Sequence, residues 1–312
     1  MRNFSGLILG LSALFGTGFV APSLAMAQEP IPSVPSTPAP PRERMALPSW
    51  TPPVVQTGSA TLVRRYPAQE AGQGAAIDAR YVYAIVNSAI GKYDRQSGTR
   101  VGQWLGARDG LIRHLNSCFA QAKQLWCANS NFPELPMASS IEVFNSETMT
   151  HVSSHSLGLQ DEGSLTFFEP YKDGWLAGFA HYDAIGGLPF KNSSYASIVT
   201  YDAQWRRTGG WMLPKSVQEQ MSPHAASGGA LGPDGLLYVL GHSKPELYVL
   251  ARPARGPVLL HVATFSIEAE GQAFAWDKSN PRRIAAISRP NREIRVFDIP
   301  NVVLNHPDAL PF

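Results

Sequence analysis

Four of the chain's eight histidines stand at corresponding places in a repeating pattern. His114, His181, His224 and His242 each border a run of small or apolar residues, and each has a further polar side chain close by. Imidazole changes charge near neutral pH, so it can accept or donate a proton where most side chains cannot. Carboxylates and carboxamides recur beside these positions. Glu70 and Gln73 lie in Glu-Ala-Gly-Gln, and Glu270 and Gln272 in Glu-Gly-Gln. Asn129 and Glu134 lie in Asn-Ser-Asn-Phe-Pro-Glu. An imidazole next to a carboxylate suits acid–base work on a small polar molecule or saccharide, and paired carboxylates suit the same work or a bound cation. His114, His224 and Glu270 are therefore candidate catalytic residues. Gln73, Asn129, Glu134, His181, His242 and Gln272 are candidate ligand-binding residues. Each has a plainer reading: a histidine at a strand end is commonly a hydrogen-bonded structural residue, and repeated units show related residues without any chemistry.

Other chemistries find less support. No Cys-x-x-Cys spacing points to a metal, so the cofactor is unknown and a metal ion bound in a central channel stays an option. Gly-x-Ser-x-Gly is absent, as are phosphate-binding and dinucleotide glycine patterns. Trp175, Trp211 and Trp276 suit packing between units, although an exposed indole can also stack on a sugar.

The elements that must position these residues are marked by a strand signature ending in an aromatic and a short polar residue. It occurs as Ala-Ile-Gly-Lys-Tyr-Asp (Ala89–Asp94), Ser-Ile-Glu-Val-Phe-Asn (Ser140–Asn145), Ser-Ile-Val-Thr-Tyr-Asp (Ser197–Asp202) and Glu-Ile-Arg-Val-Phe-Asp (Glu293–Asp298). A degenerate copy, Glu-Leu-Tyr-Val-Leu, covers Glu246–Leu250. Repeats of this kind build radial or stacked folds, because each unit buries its faces only against its neighbours. Around each copy the same order of strands can be traced: a small-residue strand, a second apolar strand, the signature strand and a polar outer strand. The fifth unit lacks its outer strand, and a spare strand, Thr61–Tyr66, precedes the first. Joining the two completes a ring without open sheet edges. The expected fold is all-β, a five-bladed β-propeller of four-stranded blades closed by an N-terminal strand. Lys215–Met221 reads as a helical turn between blades.

In such a ring the starts of the innermost strands and the ends of the second strands converge on one mouth of the channel. The starts carry Glu70, Gln73, Arg113, His114, Glu162, His224, Glu270 and Gln272. The ends carry Asn87, Asn129, His181, Asp183, His242 and Arg289. The longer loops, Asn129–Ser139 and Tyr182–Tyr195, fall on this face, where binding residues concentrate on a rigid scaffold.

The remaining features concern address and partners. Arg2, an apolar run from Leu7 to Val20 and Ala25-Met26-Ala27 have the form of an export signal over residues 1–27, with an uncleaved anchor as the alternative. Residues 28–58 read as a proline-rich linker, with nine prolines between Glu29 and Gln56, and 59–312 as the propeller. No later segment is apolar enough to span a bilayer, so a periplasmic or secreted monomer is expected. Charged residues make up 16% and the net charge is +2, with basic residues only in scattered pairs, which argues against nucleic acid as a partner. Cys118 and Cys127 flank a tight turn and would face each other across a hairpin. They form either a disulfide or two buried thiols.

Segments such as His114-Leu-Asn-Ser, Asn129–Pro136, Gly241–Leu250 and Glu270-Gly-Gln resemble a group of exported microbial β-propeller proteins to which the label cycloisomerase is loosely attached. The resemblance spans nearly all of Ala60–Asp298 and implies a fold and a compartment more than an activity. A weaker likeness is to plant-type glutaminyl cyclases, which are also exported five-bladed propellers. That family's catalytic residues find no residue-by-residue match here.

Overall fold

The computed structural model describes residues 45–312 apart from 184, 186, 187 and 243. The expected export signal and residues 28–44 of the expected linker lie outside the described residues. From Trp50 to Phe312 the chain forms one compact unit, a five-bladed β-propeller.

Each blade is an antiparallel sheet in chain order from the channel outward. The first comprises β3 (Gly74–Ile77), β4 (Tyr81–Val86), β5 (Ala89–Asp94) and β6 (Arg100–Leu105). The second comprises β7 (His114–Gln121), β8 (Gln124–Ser130), β9 (Ala138–Asn145) and β10 (Thr150–Leu159). The third comprises β11 (Ser164–Tyr171), β12 (Gly174–Ala180), β13 (Ser197–Tyr201) and β14 (Arg207–Met212). The fourth comprises β15 (Gly228–Leu231), β16 (Leu237–Leu240), β17 (Glu246–Pro253) and β18 (Leu260–Ser266). The fifth takes β19 (Ala275–Trp276), β20 (Arg283–Ser288) and β21 (Glu293–Asp298) from the end of the chain and β2 (Thr61–Pro67) from its beginning. Thr61 pairs with Asp298 and Pro67 with Glu293, so the spare strand closes the ring as the sequence requires.

The signature strands β5, β9, β13 and β21 are all third strands, and the reason is local. Their aromatics Tyr93, Phe144, Tyr201 and Phe297 are buried between blades. The short polar residue that follows satisfies the next turn: Asp94 Oδ1 accepts from the Ser97 amide at 2.8 Å, and Asn145 Oδ1 accepts from the Glu147 amide at 2.9 Å. Asp298 instead forms a two-bonded ion pair with Arg283 at 2.8 and 3.0 Å.

The innermost strands are small-residue strands because they crowd the axis. A Cβ on Gly228 would stand 2.4 Å from Ala273 Cα, and one on Gly74 would stand 2.7 Å from Ala273 Cβ. At the lower end, away from the strand starts, ion pairs stitch the fifth blade to its neighbours. Arg95 reaches Asp277 at 2.6 Å, and Arg282 reaches Asp234 at 2.9 Å.

Three additions lie outside the repeat. A short strand, β1 (Gln56–Ser59), runs parallel to β18, so ordered pairing begins inside the stretch read as linker. The strand β22 (Ala309–Leu310) pairs with β17, and helix α1 (Lys215–Met221) stands where a helical turn was expected. Cys118 and Cys127 are paired neighbours across β7 and β8 and form a disulfide that is fully buried. Among the described residues, no helix is long and apolar enough to cross a membrane.

Candidate functional site

All five blades contribute to a cavity of about 260 Å³ at the upper mouth of the channel. The first blade supplies Gln73, and the second supplies His114, Asn116 and Phe132. Tyr182 comes from the third, His224 and His242 from the fourth, and Gln272 and Arg289 from the fifth. Each sits at the start of an inner strand or just past the end of a second strand. Of the residues expected to converge on this mouth, Gln73, His114, His224, His242, Gln272 and Arg289 line the cavity.

Inside the cavity the rings form a continuous series. His224 and His242 stack with centroids 4.0 Å apart and planes 18° from parallel. Tyr182 meets both edge-on, at 4.9 and 5.8 Å. Phe132 fills the space between Tyr182, at 5.5 Å, and His114, at 5.0 Å. Hydrogen bonds then hold the polar members. The Gln73 side-chain amide donates to Asn87 Oδ1 at 2.7 Å, and Tyr182 shares a hydroxyl–hydroxyl bond with Ser227 at 3.0 Å.

Gln272 is buried and adopts φ +74°, a left-handed backbone uncommon for a residue with a side chain. The preceding Gly271, at φ +84°, has no room for a Cβ: the atom would lie 2.5 Å from the Gly241 carbonyl oxygen. The Gln272 amide donates to that same carbonyl at 3.0 Å, which ties the fifth blade's inner strand to the loop carrying His242.

Burial leaves the imidazoles neutral. Desolvation, aided by the nearby Arg289 charge, lowers His114 to about 4. Desolvation also lowers His242 to about 4, with His224, Arg289 and His114 pushing the same way. His224 is lowered by burial, with Asp183 opposing. The fixed charge of the site is the Arg289 guanidinium, and among the described residues no carboxylate forms an ion pair with it.

Four of the expected site residues are placed elsewhere. His181 is buried behind the cavity, its ring against Gly163, its Nδ1 without a partner and its Nε2 3.4 Å from the Asp161 carbonyl. Asn129 is a buried support: its Oδ1 accepts from the His114 backbone amide at 3.1 Å while its own amide donates to Ser140 at 3.0 Å. Glu134 turns outward to Arg113, at 2.6 Å. Glu270 accepts from the Ser288 hydroxyl at 3.2 Å, and its other oxygen is buried without a partner. It does not line the cavity.

Conversely, Tyr182, Phe132 and Asn116 line the cavity without having been singled out. Alternation explains the first: neighbours in extended chain point to opposite sides, so when His181 packs inward behind the strand, Tyr182 faces the channel mouth. Phe132 and Glu134 lie in a turn rather than in extended chain, and there the first faces the cavity while the second pairs with Arg113. No group of three or more His, Cys, Asp or Glu is placed to hold a metal among the described residues.

No protein-family model and no curated protein matches the sequence. Solved structures do match in fold. Glutaminyl cyclase from Myxococcus xanthus aligns at a TM-score of 0.51 with 10% identity, covering 80% of this chain and 100% of its own. The WD40 domain of Neurospora crassa Pan2 aligns at 0.43 with 10% identity, covering 81% of this chain and 99% of its own. At 10% identity the likeness to the cyclase is one of architecture, and it agrees with the class that the blades themselves define: a β-propeller. The structural neighbours include a glutaminyl cyclase propeller, and none of these matches identifies the chain with the cycloisomerase-labelled family.

Proposed function

We propose that the upper cavity is the functional site, and that it binds a small polar molecule carrying an anionic group. The supporting observation is the Arg289 guanidinium, without an ion-pair partner among the described residues, set among three neutral imidazoles and three carboxamides drawn from four blades. A guanidinium with no carboxylate partner at the rim of the cavity favours a carboxylate or similar anion, with which it can form charge-assisted, two-pronged hydrogen bonds. The neutral imidazoles of His114, His224 and His242 would accept hydrogen bonds or a proton from the remainder of the ligand. The reaction class that fits is acid–base chemistry on a metabolite or saccharide: hydrolysis, elimination or isomerisation. Glu270 supports the rim through Ser288 on this reading and does not act on the ligand.

A second reading, a non-catalytic binding propeller of the cell envelope, is favoured by one observation. No carboxylate is among the described residues lining the cavity. In either case we assign the protein to the periplasm or the exterior. The form of residues 1–27 and the Cys118–Cys127 disulfide both support an oxidising compartment.

Calorimetric binding and turnover assays on a panel of small carboxylic acids, uronic acids, neutral sugars and glutaminyl peptides decide between these readings. The last class is included because a glutaminyl cyclase shares the architecture. Binding without turnover supports the binding module. Turnover abolished by His224→Ala supports the enzyme. Equal behaviour of wild type, His224→Ala and Arg289→Ala would remove the cavity from consideration.

A further inference from the structure

A second cavity, of about 300 Å³, lies at the opposite end of the channel, where the inner strands of four blades terminate. Phe119 from β7, Glu169 from β11, Leu231 from β15 and Trp276 with Lys278 after β19 form its walls. Its chemistry is the reverse of the upper site. There the unpaired group is a cation; here it is a carboxyl. Glu169 makes no hydrogen bond or ion pair among the described residues. The neighbouring acid, Asp277, is already committed to Arg95 at 2.6 Å and to the Ser279 backbone amide at 3.0 Å.

The aromatic walls already attract cations. The Lys278 ammonium stands 5.7 Å from the centroid of Phe119, and the Arg282 guanidinium stands 5.5 Å from that of Trp276. Arg282 is held by Asp234, whereas Lys278 has no carboxylate partner among the described residues. An ammonium over Phe119 beside an unpartnered carboxyl is thus a contact that the protein half-forms with its own lysine.

We propose that this lower cavity binds a small molecule bearing a primary amine, its ammonium held between the Glu169 carboxylate and the face of Phe119 that Lys278 now occupies. The apolar part of the ligand would lie along Leu231 and Trp276. Burial raises the Glu169 carboxyl to about 8, with Lys278 opposing, so near neutral pH the group is mostly protonated. Binding an ammonium then releases that proton to solvent, leaving carboxylate against ammonium. Other charges around Glu169 are few. The facing stretches of β7, β8, β12 and β15 carry none apart from His114 at the far end of β7, and Glu142 of β9 is bound to His151 at 2.8 Å.

The test is calorimetry of the whole protein with n-pentylamine, with 1-pentanol and pentanoate as controls. Pentylamine is expected to bind with release of close to one proton at pH 7, counted by comparing phosphate and HEPES buffers, neither of which is a primary amine. Its affinity should rise several-fold between pH 6.5 and 8.5. Glu169→Gln, which keeps the shape of the side chain, is expected to weaken it tenfold or more, and Lys278→Ala to leave it equal or tighter. Phe119→Leu gives an independent reading of the aromatic wall and should weaken the amine but not the alcohol. Failure of pentylamine to bind, equal binding by Glu169→Gln, or preferential binding of pentanoate would each overturn the proposal.

Discussion

At the scale of single residues the two cavities hold different unpartnered groups, a guanidinium in one and a carboxyl in the other. Arg289 occupies the upper cavity and Glu169 the lower one. Replacing Arg289 by Ala should cost a carboxylate ligand of the upper cavity about 10- to 100-fold in affinity, the usual worth of one charge-assisted hydrogen bond, measured by calorimetry. The histidines predict a pH dependence of stability. Folded His114 and His242 titrate near 4, against about 6.5 in the unfolded chain. Between those values the unfolded state binds more protons, so their contribution is intact above about pH 6.5 and is lost as pH falls toward 4. Melting temperatures measured from pH 7.5 to 4 should fall, and His114→Asn with His242→Asn should flatten the slope. Glu169 acts in the opposite sense, because its folded value near 8 lies above the ordinary 4.5. Stability is lost as pH rises through that window, so Glu169→Gln should stabilise by about 1–2 kcal/mol at pH 8.5 and by little at pH 4.5. The full shift is discounted because the cavity admits water.

At the scale of elements the blades depend on closure and on one covalent tie. Removing β2 by truncation through Pro67 exposes the edge of β21 and should abolish cooperative unfolding. Truncation through Val55 should leave it intact, as read by circular dichroism during denaturation. Joint replacement of Cys118 and Cys127 by Ala should cost about 2–3 kcal/mol, the loop-closure value for a short loop, seen as a lower denaturation midpoint. Local detail was harder to read from sequence at this level. The order and type of strands followed from periodicity and turn residues, and the strand starts named Gln73, His114, His224 and Gln272 as neighbours. Which of two adjacent residues faces the cavity did not follow. The alternation that sends His181 inward and Tyr182 to the cavity depends on where the strand ends, and one residue of difference reverses it. Gly271, in its left-handed conformation, likewise turns Gln272 to the cavity and Glu270 to Ser288.

At the scale of the whole molecule the inner strands meet so closely that small residues are obligatory. Gly228→Val would place a branched side chain against the Ala273 backbone and should unfold the ring or lower its melting temperature sharply, which a thermal melt would read. By itself the sequence determined the number of blades, the strand that closes them and the face on which polar residues gather. Those properties rest on local periodicity and on the count of strands, both of which are written along the chain. The tertiary structure decided the rest. It drew Arg289 into a ring of neutral imidazoles, turned Glu134, His181 and Glu270 away, and left Glu169 without a partner at the far end. Charge state and pairing depend on burial and on contacts between distant blades, so they exist only once the ring has closed.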